Sequence, residues 1–131
     1  MIQTVDFAFR LILGISLIVF AVNGTFLLLT GSILIPMPAP NSQMKVGMTG
    51  VFAFGYLFPL VKIIEFVSAI LFLSNKYINF AIVILTPVFV NILGIRLFVD
   101  QSLLPIVAPM CAMLIFLIWV RWDAFKRLIS E

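Results

Sequence analysis

Between residues 11 and 44 the chain carries no charged side chain, and a stretch of that kind folds only where something other than water covers it. Residues 7–29, which overlap it, are apolar enough to span a membrane. At about 1.5 Å of rise per residue, a helix of that length crosses the roughly 30 Å hydrocarbon core of a bilayer. Only Asp6 and Arg10 precede the run as charged residues. It extends well past the 7 to 15 or so residues of a secretory signal core and lacks a small-residue cleavage site, so it is read as a retained span. Gly31 and the prolines Pro36, Pro38 and Pro40 end it, because proline donates no backbone hydrogen bond and biases its predecessor toward extended geometry.

The whole composition agrees. Hydrophobic residues make up 64% of the 131 and charged residues 10%, against about half and about a quarter in a soluble domain. Too few polar residues exist to coat a water-facing surface. The net charge of +3 does not indicate nucleic acid. The cations are scattered, and the one cluster, Arg121, Lys126 and Arg127, lies beside an apolar run, as a cytoplasmic anchor facing anionic lipid does.

Residues 79–99 and 104–120 are two further runs of spanning length. Pro87 lies inside the first of them, a placement that membrane helices tolerate. Residues 57–75 are harder, because they carry Lys62 and Glu65. Insertion scales charge about 2.5 to 3.5 kcal/mol for an ion at the helix centre and return about 0.3 to 0.6 per Leu, Ile, Phe or Val. The segment therefore spans only if the two ions, one turn apart, pair or face the bundle interior. Residues 41–55 open on N-cap residues and space Met44, Met48, Val51 and Phe52 helically, which predicts a short interfacial or re-entrant helix. The expected fold is all-α: one domain over residues 1–131, an integral four-helix transmembrane bundle with that short helix between its first and second spans.

Four spans put both termini on one side with Arg10, Lys76, Arg121, Lys126 and Arg127, against Lys45 and Arg96 on the other; the positive-inside rule makes the first side cytoplasmic. With three spans the long first loop and the C-terminus would together hold most of the positives, so the charge bias does not settle the number of spans.

Ionisable groups inside a membrane are candidates for function. In the four-span arrangement Asn23, Lys62, Glu65, Asn91 and Arg96 all fall in the outer half. Lys62, Glu65 and Ser68 share one helical stripe, and Pro87 and Asn91 another. Together they could face a cavity suited to an anionic or carbonyl-bearing head group, such as a quinone, a lipid phosphate or a small oxoanion. The plainer duty is packing: Glu65 paired with Lys62 or Arg96, Arg96 with Asp100, and the asparagines as interhelical glue. Asp6 and Arg10 pair one turn apart, Gly14 and Gly24 allow close helix approach, and Trp119, Arg121 and Trp122 form an interfacial anchor. Histidine is absent and Cys111 is alone, so no metal or haem site is expected, nor a nucleophile with its base. Enzyme activity is not expected from these residues. Four short helices without an inverted repeat leave little room for alternating access by a transporter.

The order "RLILG" (Arg10, Gly14), a loop containing "PMP", "FPLVKIIE" (Phe58, Pro59, Lys62, Glu65) and "PVFVN" (Pro87, Asn91) resembles the DoxX-like small membrane proteins of bacteria over nearly the whole chain. Members commonly carry His where this chain has Arg96. The resemblance implies a four-helix bundle of the inner membrane, some relatives being subunits of thiosulfate:quinone oxidoreductase or of other membrane redox assemblies. Two functions are expected on these grounds. The first is an accessory subunit of a larger membrane complex, docked on other subunits or on itself and without chemistry or cofactor of its own. The alternative is a redox subunit binding a quinone or lipid at the outer-half polar residues.

Overall fold

The computed structural model describes residues 1–130, and those residues are helical throughout apart from short connections. The elements are α1 (Ile2–Thr30), α2 (Ser42–Ala53), α3 (Leu57–Ser74), α4 (Ile78–Phe98), a 3-10 turn (Gln101–Leu103), α5 (Leu104–Val120) and α6 (Trp122–Ile129). Four of them, counting the 3-10 turn with α5, are long and apolar enough to cross a membrane. The doubtful segment is among these: Lys62 and Glu65 sit in an unbroken α3.

The four long helices form a ring in which α1 packs on α3 and α5, and α4 closes the circle between α3 and α5. Each contributes residues three or four apart to a shared core: Leu13 and Leu17 from α1, Ala69 and Phe72 from α3, Ile82, Leu85 and Phe89 from α4, and Met110, Leu114 and Leu117 from α5. That spacing is the helix repeat. Close approach of α1 to α3 depends on Gly14, where a Cβ would lie 2.7 Å from Leu73 Cγ and 3.4 Å from the Ala69 carbonyl. No more than 33% of the apolar stretch of any long helix is buried. The remaining faces carry Val90, Ile115 and Trp119 outward, each more than 60% exposed, so the ring is apolar outside as well as in.

The breaks follow local chemistry. Gly31 caps α1 with φ 79° and donates to the Leu27 carbonyl at 2.8 Å, a left-handed geometry that suits glycine. Asn41 caps α2, its Oδ1 accepting from Met44 N–H at 2.8 Å, in line with the cap read from the sequence. Asn75 closes α3 in the left-handed region. The chain also breaks at Arg121, just past the expected end of the last span. Beyond the break α6 sets Trp122, Phe125 and Ile129 on one face and Asp123, Lys126 and Arg127 on the other, with Phe125 packed against the core.

One polar network binds the end of the ring where α1 begins and α3 and α5 finish. Arg121 grips Asp6 with two nitrogens, Nη1 to Oδ1 at 2.6 Å and Nη2 to Oδ2 at 2.9 Å. Arg10 donates Nε to Asp6 Oδ2 at 3.1 Å and Nη1 to Asn75 Oδ1 at 2.9 Å. Removing Asp6 leaves two guanidiniums facing each other, whereas removing either arginine leaves Asp6 still paired. Asp6→Ala is therefore expected to lower unfolding free energy in detergent by about 2 kcal/mol, more than Arg10→Ala or Arg121→Ala alone; equal losses in all three would refute the shared-carboxylate account.

Candidate functional site

At the opposite end, where α1 finishes, α3 begins and α4 finishes, the helices do not close. The strap over residues 31–41 and helix α2 cover the gap, and beneath them lies a cleft of about 450 Å³. Three polar clips hold the cover. Asn23 accepts from Leu34 N–H at 2.9 Å and Ile35 N–H at 2.8 Å and donates to the Ile35 carbonyl at 3.2 Å. Asn41 donates its side-chain amide to the Val99 carbonyl at 2.6 Å and its backbone N–H to Asp100 Oδ2 at 3.0 Å. Asp100 in turn accepts from Ser102 N–H at 3.0 Å, starting the 3-10 turn.

The cleft wall is apolar, with Phe20, Leu27, Met48 and Phe52 among its residues, and is broken by three cations from three helices: Lys45 of α2, Lys62 of α3 and Arg96 of α4. Lys62 Nζ lies 3.2 Å from Glu65 Oε2 and 5.0 Å from the centre of the Phe58 ring. Gly24 makes room for it, since a Cβ there would run into the Lys62 side chain. Glu65 is 3% exposed and sits behind Lys62, away from the cleft lining. One turn further on, the buried Ser68 hydroxyl has no hydrogen-bond partner among the described residues.

Of the residues singled out from the sequence, Asn23, Lys62 and Arg96 line the cleft, and Glu65 is tied to it through Lys62. Asn91 is not brought there. It is exposed on α4 and donates to the Pro87 carbonyl of its own helix at 2.9 Å. The expected pair of Arg96 with Asp100 does not form as a direct contact. Asp100 turns both oxygens to backbone N–H groups, and the Arg96 guanidinium makes no hydrogen bond or ion pair among the described residues. Lys45 was not singled out, because nothing in the sequence says that α2 folds back over the bundle.

The chemistry available here is cation and hydrogen-bond donation to a ligand. No cluster of three His, Cys, Asp or Glu side chains that could hold a metal occurs among the described residues. A second cavity of about 300 Å³ between α4, α5 and α6 is lined by Ile82, Val83, Thr86, Pro87, Ile118 and Phe125 and carries no charged group.

No family model, curated protein or solved structure matches the chain.

Replacing Lys62 with Met leaves Glu65 buried without a counter-ion, which is expected to cost about 3 kcal/mol of unfolding free energy in detergent. The double variant Lys62→Met with Glu65→Leu should recover most of that loss. No recovery would mean the pair does not act as a unit.

Acidity tests the strap. The N–H of Asn41 holds the Asp100 carboxyl below its usual value of 3.8, the Ser102 backbone and hydroxyl add to this, burial opposes it, and the Arg96 charge assists. With the folded pKa below the unfolded one, the tether is at full strength above pH 3.8 and is lost as pH falls through the folded value. Hydrogen-exchange protection at Asn41 and Ser102, corrected for intrinsic rates, should hold from neutrality to about pH 4 and fall below it. In Asp100→Asn it should be low throughout. Protection that survives in strong acid would exclude the carboxylate as the anchor.

Proposed function

We propose that this chain is a multi-pass protein of the bacterial inner membrane, of the DoxX-like kind, that holds the polar head of a membrane amphiphile, a quinone or a lipid, in the cleft beneath the strap. The observation that carries this reading is a cationic, donor-rich cleft with apolar walls at one end of a ring whose outer surface is also apolar. At about 450 Å³ it has the capacity of a small-molecule site, and a head group with a tail matches its mixed lining.

Orientation follows from charge. Arg10, Lys76, Arg121, Lys126 and Arg127 lie at the end with both termini, which the positive-inside rule assigns to the cytoplasm, so the cleft opens in the outer half. There α2 lies as an interfacial helix, and α6 rests on the inner surface with the exposed Trp122 and Ile129 toward lipid.

A second reading, an accessory subunit docked in a larger and respiratory or redox complex, is favoured by Asn91. Its amide oxygen has no partner among the described residues, on an α4 face that also exposes Val90 and Phe98. Within lipid that oxygen is satisfied only by a neighbouring helix.

One purification addresses both readings. Extraction in mild detergent, followed by identification of copurifying proteins and small molecules, is expected to return a quinone or lipid in stoichiometric amount. It should be depleted in an Arg96→Ala variant that still folds. Unchanged ligand content in that variant would sink the cleft reading. A protein stable and alone after extraction would sink the docked-subunit reading.

A further inference from the structure

The cleft's charge balance narrows the ligand further, and the argument rests on the reading that an amphiphile head sits there. Lys45, Lys62 and Arg96 converge on it, while the one carboxylate in contact with any of them, Glu65, is bound to Lys62 from behind. Arg96 has no acceptor among the described residues, because Asp100, four residues on, is held by Asn41 and Ser102. A half-buried guanidinium with no acceptor of its own is a donor open to a ligand.

We propose that this acceptor is the phosphate of an anionic phospholipid. A quinone carbonyl is neutral: it takes one or two hydrogen bonds and leaves the surplus charge in place. A phosphodiester brings one negative charge and two free oxygens, the pattern that the planar fork of Arg96 grips in two places. Lys62 approaches from the facing helix with two of its three N–H donors still unassigned, and Lys45 closes from the cover. The ammonium of a zwitterionic head would face the same cations with no carboxylate to receive it. A lipid with no amine beside its phosphate, such as phosphatidylglycerol, is therefore selected over phosphatidylcholine. The apolar remainder of the wall, Phe20, Leu27, Met48 and Phe52, takes the upper part of an acyl chain, which distinguishes a lipid from a soluble oxoanion.

The test is native mass spectrometry of the full chain after exchange into detergent holding equal amounts of phosphatidylglycerol and phosphatidylcholine. Phosphatidylglycerol should be retained selectively. Retention should fall about tenfold in Arg96→Gln, the loss expected when a charge-assisted contact is removed, and by less in Arg96→Lys, which keeps the charge without the fork. Circular dichroism verifies the fold of each variant. Should Arg96→Gln fail to fold, Lys45→Gln on the exposed α2 is the reporter, with weakened retention again expected and full retention counting against the proposal. Equal retention of both lipids, or of ubiquinone in a parallel arm, unaffected by Arg96→Gln, would overturn the phosphate assignment while leaving an amphiphile site standing. Displacement of phosphatidylglycerol by inorganic phosphate at comparable concentration would move the site to a soluble oxoanion. Retention of nothing in any arm would overturn both the assignment and the reading beneath it.

Discussion

A lysine and a glutamate on an otherwise apolar helix must meet each other, face the bundle interior or hold that helix in water, and in α3 Lys62 and Glu65 meet at 3.2 Å. Much else depends on that contact. It leaves α3 uniformly acceptable to an apolar environment, so the helix can occupy its place in the ring between α1 and α4. It also fixes the lysine. Glu65 is the buried partner and Lys62 the more accessible one, with side chains 4% and 15% exposed, so the pair presents its positive member to the cleft. Gly24 on α1 belongs to the same device, because a Cβ there would meet the end of the Lys62 side chain and force it to shift.

The two ends of the ring handle charge in opposite ways. At one end Asp6 neutralises Arg10 and Arg121 together, and Asn75 takes a further arginine N–H, so donors and acceptors are matched and the helices are clasped. At the other end Asp100, the carboxylate best placed to neutralise Arg96, is diverted to the backbone of the strap. The diversion has two effects: it anchors the cover, and it leaves the cation beneath the cover without an acceptor. In a ring built mainly from side-chain packing, the clasped end adds cohesion through matched charges, and the other end keeps donors that the chain itself does not use.

Much of this was legible in the sequence wherever the deciding contact is local. Run length marked the four long helices, spacing of three and four residues gave Lys62 with Glu65 and Asp6 with Arg10, and a polar residue ahead of a periodic segment gave Asn41 as a cap. What stayed hidden was long-range or rotational. Arg121 reaches Asp6 across 115 positions and Asn41 reaches Asp100 across 59, separations that no local spacing encodes. The facing of α4 was hidden for a different reason. A helix apolar on every side carries no moment to say which side turns inward, so Pro87 and Asn91 could be placed on one stripe but not inside or outside the bundle. The same lack of signal concealed Lys45, which enters the cleft only because α2 folds back.

Arg96 shows where a local rule fails because a backbone joint takes the partner first. A basic residue in the last turn of a helix, four before an aspartate, is the pattern that predicts an ion pair supporting the helix end. The aspartate instead accepts two backbone N–H groups, which are fixed in place and need no ordering of a long side chain, and so it satisfies the chain's own turn first. Had the pair formed, the cleft would hold Lys62 already matched by Glu65 and only Lys45, exposed on the cover, as a surplus cation. The guanidinium without a hydrogen-bond acceptor is therefore a consequence of how the strap is fastened, since the carboxylate four residues on is used by the backbone of that joint.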